Sequence, residues 1–143
     1  WSSDVCSSDL LVYDLNTGKR LLLKDLINDT ALEPLCDLIN RDRRERIEQH
    51  MRNLKASGQD TIAGEPSEDT QTLYESCLGL VFRPEDLDEI AFAWLGSRLM
   101  IYTERCSTHF NRAQDDVDEF ALELNLQTHT DWLTPYGKLL LKP

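Results

Sequence analysis

The chain reads as an α+β domain: a mostly antiparallel sheet with an N-terminal hairpin, one long helix packed on the sheet and a short C-terminal helix. Three observations predict this. Phe120, Leu122, Leu124 and Leu126 fall on alternate positions with Ala121, Glu123 and Asn125 between them, the period of a strand with one face on a core. Residues 90–95 and 98–103 are apolar runs flanking Gly96-Ser97, a two-residue connection that suits a tight hairpin. Leu32, Leu35, Ile39, Ile47, Met51 and Leu54 recur at helical spacing.

Taken in order, residues 11–15 and 19–23 are short apolar runs separated by Asn16-Thr17-Gly18. Gly18 can adopt the positive φ of a tight reversal, so the pair predicts a β-hairpin, followed by a turn or short helical segment over 24–27. Thr30 and Glu33 have the spacing of a capping box, and Pro34 fits a first helical turn, where its missing N–H costs little. A helix is expected from about 31 to 55, bent near Asn40, with Arg43 interrupting its apolar stripe and the charges of 41–52 solvated. Residues 57–70, with two glycines and a proline, read as a loop. Residues 73–78 suit a helical turn or a strand, 80–82 an extended segment, and Pro84 a turn. In the central hairpin, Ile90, Phe92 and Trp94 share one face, and Leu99, Ile101 and Thr103 share one face of the next strand. Trp94, Tyr102 and Trp132 belong to the core or a sheet face rather than to a ligand platform. Residues 105–119 are a polar connection. Thr130 or Asp131 can cap a single turn through Trp132-Leu133, with Gly137 just past it and 139–141 as an apolar tail.

Residues 1–10, Trp-Ser-Ser-Asp-Val-Cys-Ser-Ser-Asp-Leu, resemble the in-frame translation of a sequencing adapter and are expected to be a non-native tail. The expected domain is then 11–143, a single unit truncated at its N-terminus. Removing Asp4 and Asp9 takes the formal charge from −11 to −9, which remains acidic. That balance argues against nucleic acid, where Lys and Arg must neutralise phosphates. No apolar run approaches the roughly 20 residues of a membrane span. Hydrophobic content of 41% with 29% charged residues is that of a folding chain rather than a disordered one.

Outside the tail there are three cysteines, Cys36, Cys77 and Cys106. One pair plus a free thiol, or three buried thiols, both fit; Cys77 and Cys106 could be bridged in an oxidising compartment if their strands are adjacent. The densest polar set is His109, Asn111, Arg112, Asp115 and Asp116, a candidate recognition loop before the last strand. Asn28-Asp29-Thr30 matches a glycosylation triplet. No two-histidine helical motif, paired-cysteine motif or phosphate-cradling glycine loop is present, so no catalytic residue, metal ligand or cofactor is assigned.

Residues 13–27, with Tyr13, Asp14, Thr17, Gly18, Leu21, Leu23, Asp25 and Leu26 in register, resemble the opening of a bacterial domain of unknown function. That domain is found in the extracytoplasmic part of the anti-sigma factor RsiV and beside some peptidoglycan deacetylase domains. The closing strand and the segment Trp132-Leu133-Thr134-Pro135-Tyr136-Gly137 are similar to its end. The resemblance implies an α+β binding module, periplasmic, secreted or carried as a lipoprotein, that recognises a protein or cell-wall component without catalysis. Two other readings use different features. A metal-assisted hydrolase would employ His109 with Asp115 or Asp116, and an acidic cytoplasmic inhibitor would exploit the net charge against a basic partner.

Overall fold

A computed structural model describes residues 11–57, 61–62, 65–66, 68–107, 117 and 120–141. The order is β1 (Val12–Tyr13), β2 (Arg20–Leu21), α1 (Leu23–Leu26), α2 (Asp29–Ser57), β3 (Thr61–Ile62), β4 (Glu65–Pro66), α3 (Glu68–Leu78), β5 (Ala91–Leu95), β6 (Arg98–Thr103), β7 (Phe120–Asn125) and α4 (Pro135–Leu140), with single 3-10 turns at Pro84–Asp88 and Thr130–Trp132. The architecture is α+β. Contacts group the chain into two units: one of residues 11–37, 82–103 and 121–141, the other of residues 38–81 and 104–120.

In the first unit, β1 and β2 pair antiparallel with Val12 opposite Leu21. Asp14 makes the turn. Its carboxylate accepts from the Asn16 N–H (2.8 Å) and the Thr17 hydroxyl (2.9 Å), its carbonyl accepts from the Gly18 N–H (2.7 Å), and Gly18 takes φ +68°. The Asn16 and Thr17 hydrogen bonds hold the Asp14 carboxyl below its ordinary range, aided by the Tyr136 hydroxyl of α4.

The C-terminal segment is laced onto α1 through the main chain. Thr134 donates its N–H to the Leu26 carbonyl (2.9 Å) and its hydroxyl to the Asp25 carbonyl (2.7 Å). Asn28 donates its N–H to the Trp132 carbonyl (2.8 Å) and its side-chain amide to the Asp131 carbonyl (2.7 Å), while Ile27 and Leu133 form an antiparallel bridge. The glycosylation triplet therefore has its asparagine amide engaged by the fold. Thr134 also caps α4, accepting from the Gly137 N–H at 3.0 Å. Gly137 sits inside α4 rather than past a helix end, and the reason for glycine is proximity: a Cβ there would fall against the Leu26 carbonyl oxygen.

The sheet has the order β5-β6-β7. Phe92 faces Ile101 and Trp94 faces Leu99 across the β5–β6 pair, and Gly96 turns the hairpin with φ +65°. The Leu126 N–H donates to the Ser97 carbonyl (2.8 Å), which sets the end of β7 beside the start of β6 and makes the strands antiparallel. Phe92, Leu99, Ile101 and Thr103 are buried, as are Phe120, Leu124 and Leu126 of the alternating strand.

Helix α2 begins at Asp29, two residues before the expected start. The capping box does not form: the Thr30 hydroxyl donates to Asn28 Oδ1 (2.6 Å), and Pro34 lies in the second turn. Ala31, Leu35, Ile39, Arg43 and Ile47, four residues apart, are all buried, so the stripe passes through Arg43 instead of breaking there. In the second unit, part of the expected loop over 57–70 forms a minimal hairpin, with Thr61 opposite Pro66 and Ile62 opposite Glu65. The ambiguous stretch over 73–78 belongs to α3. Residues 80–82 form no strand, and Leu80 and Val81 are exposed. Among the described residues no helix is long and apolar enough to cross a membrane.

Replacing Gly137 with Ala should push α4 away from α1 and cost about 1–3 kcal/mol. Urea unfolding measures this, and an unchanged midpoint would refute the close approach.

Candidate functional site

The chemistry-bearing centre among the described residues lies in the second unit, around a cation that the sequence reading assigned to an interruption of the helix stripe. Helix α2 presents Arg43 and Ile47, α3 presents Tyr74 and Cys77, the segment after β6 supplies Glu104 and Cys106, and Phe120 opens β7. Ile47, Tyr74, Cys77 and Phe120 form one buried apolar cluster, with Met51, Leu73, Leu78 and Val117 packed around it.

Arg43 is only 3% exposed. Its Nη1 donates to the Glu104 carbonyl (2.8 Å), its Nη2 donates to Cys77 Sγ (3.3 Å), and its guanidinium carbon lies 4.5 Å from the centre of the Phe120 ring. Burial draws the Arg43 pKa below its usual value, since a desolvated charge is disfavoured, while the Glu104 carboxylate acts in the opposite direction. A shallow groove beside it is lined by Asn40, Arg44, Leu78, Leu80 and Val81.

Cys77 and Cys106 are joined by a disulfide, with their α-carbons 5.1 Å apart. The pairing left open by the sequence is thus present, closing a 29-residue separation. Cys77 is 2% exposed, whereas Cys106 is half-buried. Cys36, in the first unit, is a free and buried thiol. Burial pushes it up from 9.0 to about 11, reinforced by the nearby charges of Asp86, Asp37, Glu85 and Glu33. It is therefore a protonated core side chain at neutral pH.

His109, Asn111, Arg112, Asp115 and Asp116 lie outside the described residues. Among the described residues no group of three or more His, Cys, Asp or Glu side chains is arranged to hold a metal ion. Arg43 was the residue that sequence reasoning missed. The signal was its register, four residues after Ile39 and four before Ile47. Compared with protein-family models, with curated proteins and with solved structures, the chain finds no match.

Two outcomes follow from this geometry. Arg43→Ala opens a void and removes the donor to the Glu104 carbonyl, so it should cost about 2–4 kcal/mol by urea unfolding, and Arg43→Met, which restores volume, less than half of that. For Cys36 the folded state keeps its proton where the unfolded chain loses it. Its stabilisation is complete below pH 9.0 and is lost as pH rises towards about 11. Wild type should therefore lose on the order of 2 kcal/mol more than Cys36→Ala across that window in pH-dependent unfolding.

Proposed function

We propose that the chain is a non-catalytic extracytoplasmic binding module that recognises a protein or a cell-envelope component, of the kind its two terminal segments resemble. The observation that carries this reading is the Cys77–Cys106 disulfide. Disulfides persist in oxidising compartments and are uncommon where cellular thiols keep cysteines reduced. The resembling segments also work as a pair, because Asp25, Leu26 and Asn28 of one are hydrogen-bonded to Asp131, Trp132 and Thr134 of the other. The polar set His109, Asn111, Arg112, Asp115 and Asp116 is the recognition surface under this reading, since loops carried by a rigid scaffold commonly bind.

The test is to export the full chain to a bacterial periplasm, alkylate it without reductant, and sediment the purified protein with isolated cell envelopes. Cys77 and Cys106 should resist alkylation, and the protein should be retained, with the double variant His109→Ala/Arg112→Ala binding at least about tenfold more weakly. Free thiols at both positions, or no retention by envelopes, would overturn the proposal.

A further inference from the structure

We propose that the Cys77–Cys106 disulfide is a site of thiol exchange with a defined direction, in which an external thiol enters at Cys106 and Arg43 receives the departing Cys77 sulfur as a thiolate. Exchange requires an attacking thiolate to reach one sulfur along the S–S axis while the other leaves with the bonding electron pair. Access and leaving-group stabilisation therefore select the direction, and here they agree. Cys106 is the more exposed of the two residues, half-buried where Cys77 is 2% exposed. The Arg43 Nη2 already points at Cys77 Sγ from 3.3 Å, the position of a donor to a developing anion.

The surroundings favour an anion at that sulfur. Arg43 carries a full charge in a nearly closed site, and the disfavour burial imposes on that charge is what a neighbouring thiolate relieves. The Glu104 carboxylate interacts with Arg43, and Arg44 lines the adjoining groove with Cys77. The Glu104 carbonyl and the Phe120 ring hold the guanidinium in place, so it has little reorganisation to make when the bond breaks.

The co-reactant is a dithiol, free or borne by a protein. Its first thiolate bonds to Cys106 Sγ, the Sγ–Sγ bond breaks and Cys77 leaves as thiolate. Its second sulfur, after losing its proton, displaces Cys106, which takes up a proton. The dithiol is oxidised to a disulfide, and the protein is reduced by the same two electrons. This inference shares the Cys77–Cys106 disulfide with the proposed function but not envelope binding, so a chain that keeps the disulfide and is not retained by envelopes overturns that function and leaves this inference standing.

The experiment treats the oxidised full chain, carrying Cys6→Ser, with glutathione, quenches with acid and maps adducts by mass spectrometry. The expected product has glutathione on Cys106 and a free thiol at Cys77; an adduct on Cys77, or equal amounts on both, overturns the proposal. A second readout follows thiolate ultraviolet absorbance of the fully reduced chain against pH, with Cys77→Ser identifying the contribution of that residue. Cys77 should ionise below the ordinary thiol value of about 8.5, and ionisation at or above it refutes the role of Arg43. Arg43→Met should raise that value and slow reduction by dithiothreitol by about tenfold, with Arg43→Lys recovering part of the rate. Reduction of a folded Arg43→Met chain at the wild-type rate also overturns the proposal. If Arg43→Met does not fold, the adduct map and the wild-type titration decide.

Discussion

The Leu26 carbonyl oxygen is where the first unit closes. Helix α1 has only four residues, too few to be stable alone, and its last carbonyls have no partner within it. The chain solves this from its other end. Thr134 supplies an N–H to Leu26 and a hydroxyl to Asp25, and Asn28 reaches back to the carbonyls of Asp131 and Trp132. Because α4 must come close enough for these bonds, the residue facing Leu26 cannot carry a Cβ, and Gly137 occupies it. The Asn28 and Thr134 side-chain bonds span 103 and 109 residues of sequence, so they can form only after the intervening chain has been brought together.

Legibility in the sequence followed the range of the interaction responsible. The β5–β6 hairpin, the alternation in β7 and the Gly18 turn were readable because each depends on neighbours within a few residues: a period of two, or a single positive φ. The start of α2 was misplaced because Thr30 and Glu33 satisfy the spacing of a capping box, but the chain before them is held by Asn28, which is committed to residues 131 and 132. Gly137 looked like a helix terminator, since nothing local announces that Leu26 will lie against it. Residues 80–82 looked extended by composition, but Leu80 and Val81 are exposed and enter no ladder.

Arg43 illustrates the same limit at the candidate site. A charged residue at a stripe position is ordinarily read as a break, since a lone charge taken from water costs several kcal/mol. That penalty is offset here by partners from three other stretches: the Glu104 carbonyl, the Cys77 sulfur and the face of Phe120. Arginine suits such a place better than lysine, because its planar fork can serve several acceptors while its flat face lies on a ring. The register of Arg43 was visible in the sequence; its partners were not, as they lie from 34 to 77 positions away.

The three cysteines outside residues 1–10 then divide by electrostatic surroundings. The chain is acidic overall, and around Cys36 that acidity adds to burial: Asp86, Asp37, Glu85 and Glu33 all oppose a thiolate. Burial alone would treat Cys77 the same way, because it is as deeply enclosed as Cys36. What separates them is one guanidinium N–H at 3.3 Å, directed at sulfur and fixed by two further contacts. A desolvated thiol beside carboxylates stays a hydrocarbon-like core group, whereas beside a buried cation the thiolate has a charge partner that offsets the effect of burial. Cys106 differs again, because it packs against the cluster while keeping part of its surface open. Reactivity towards thiols is in this way confined to one sulfur pair in the described chain, with one end open to attack and the other built to hold charge.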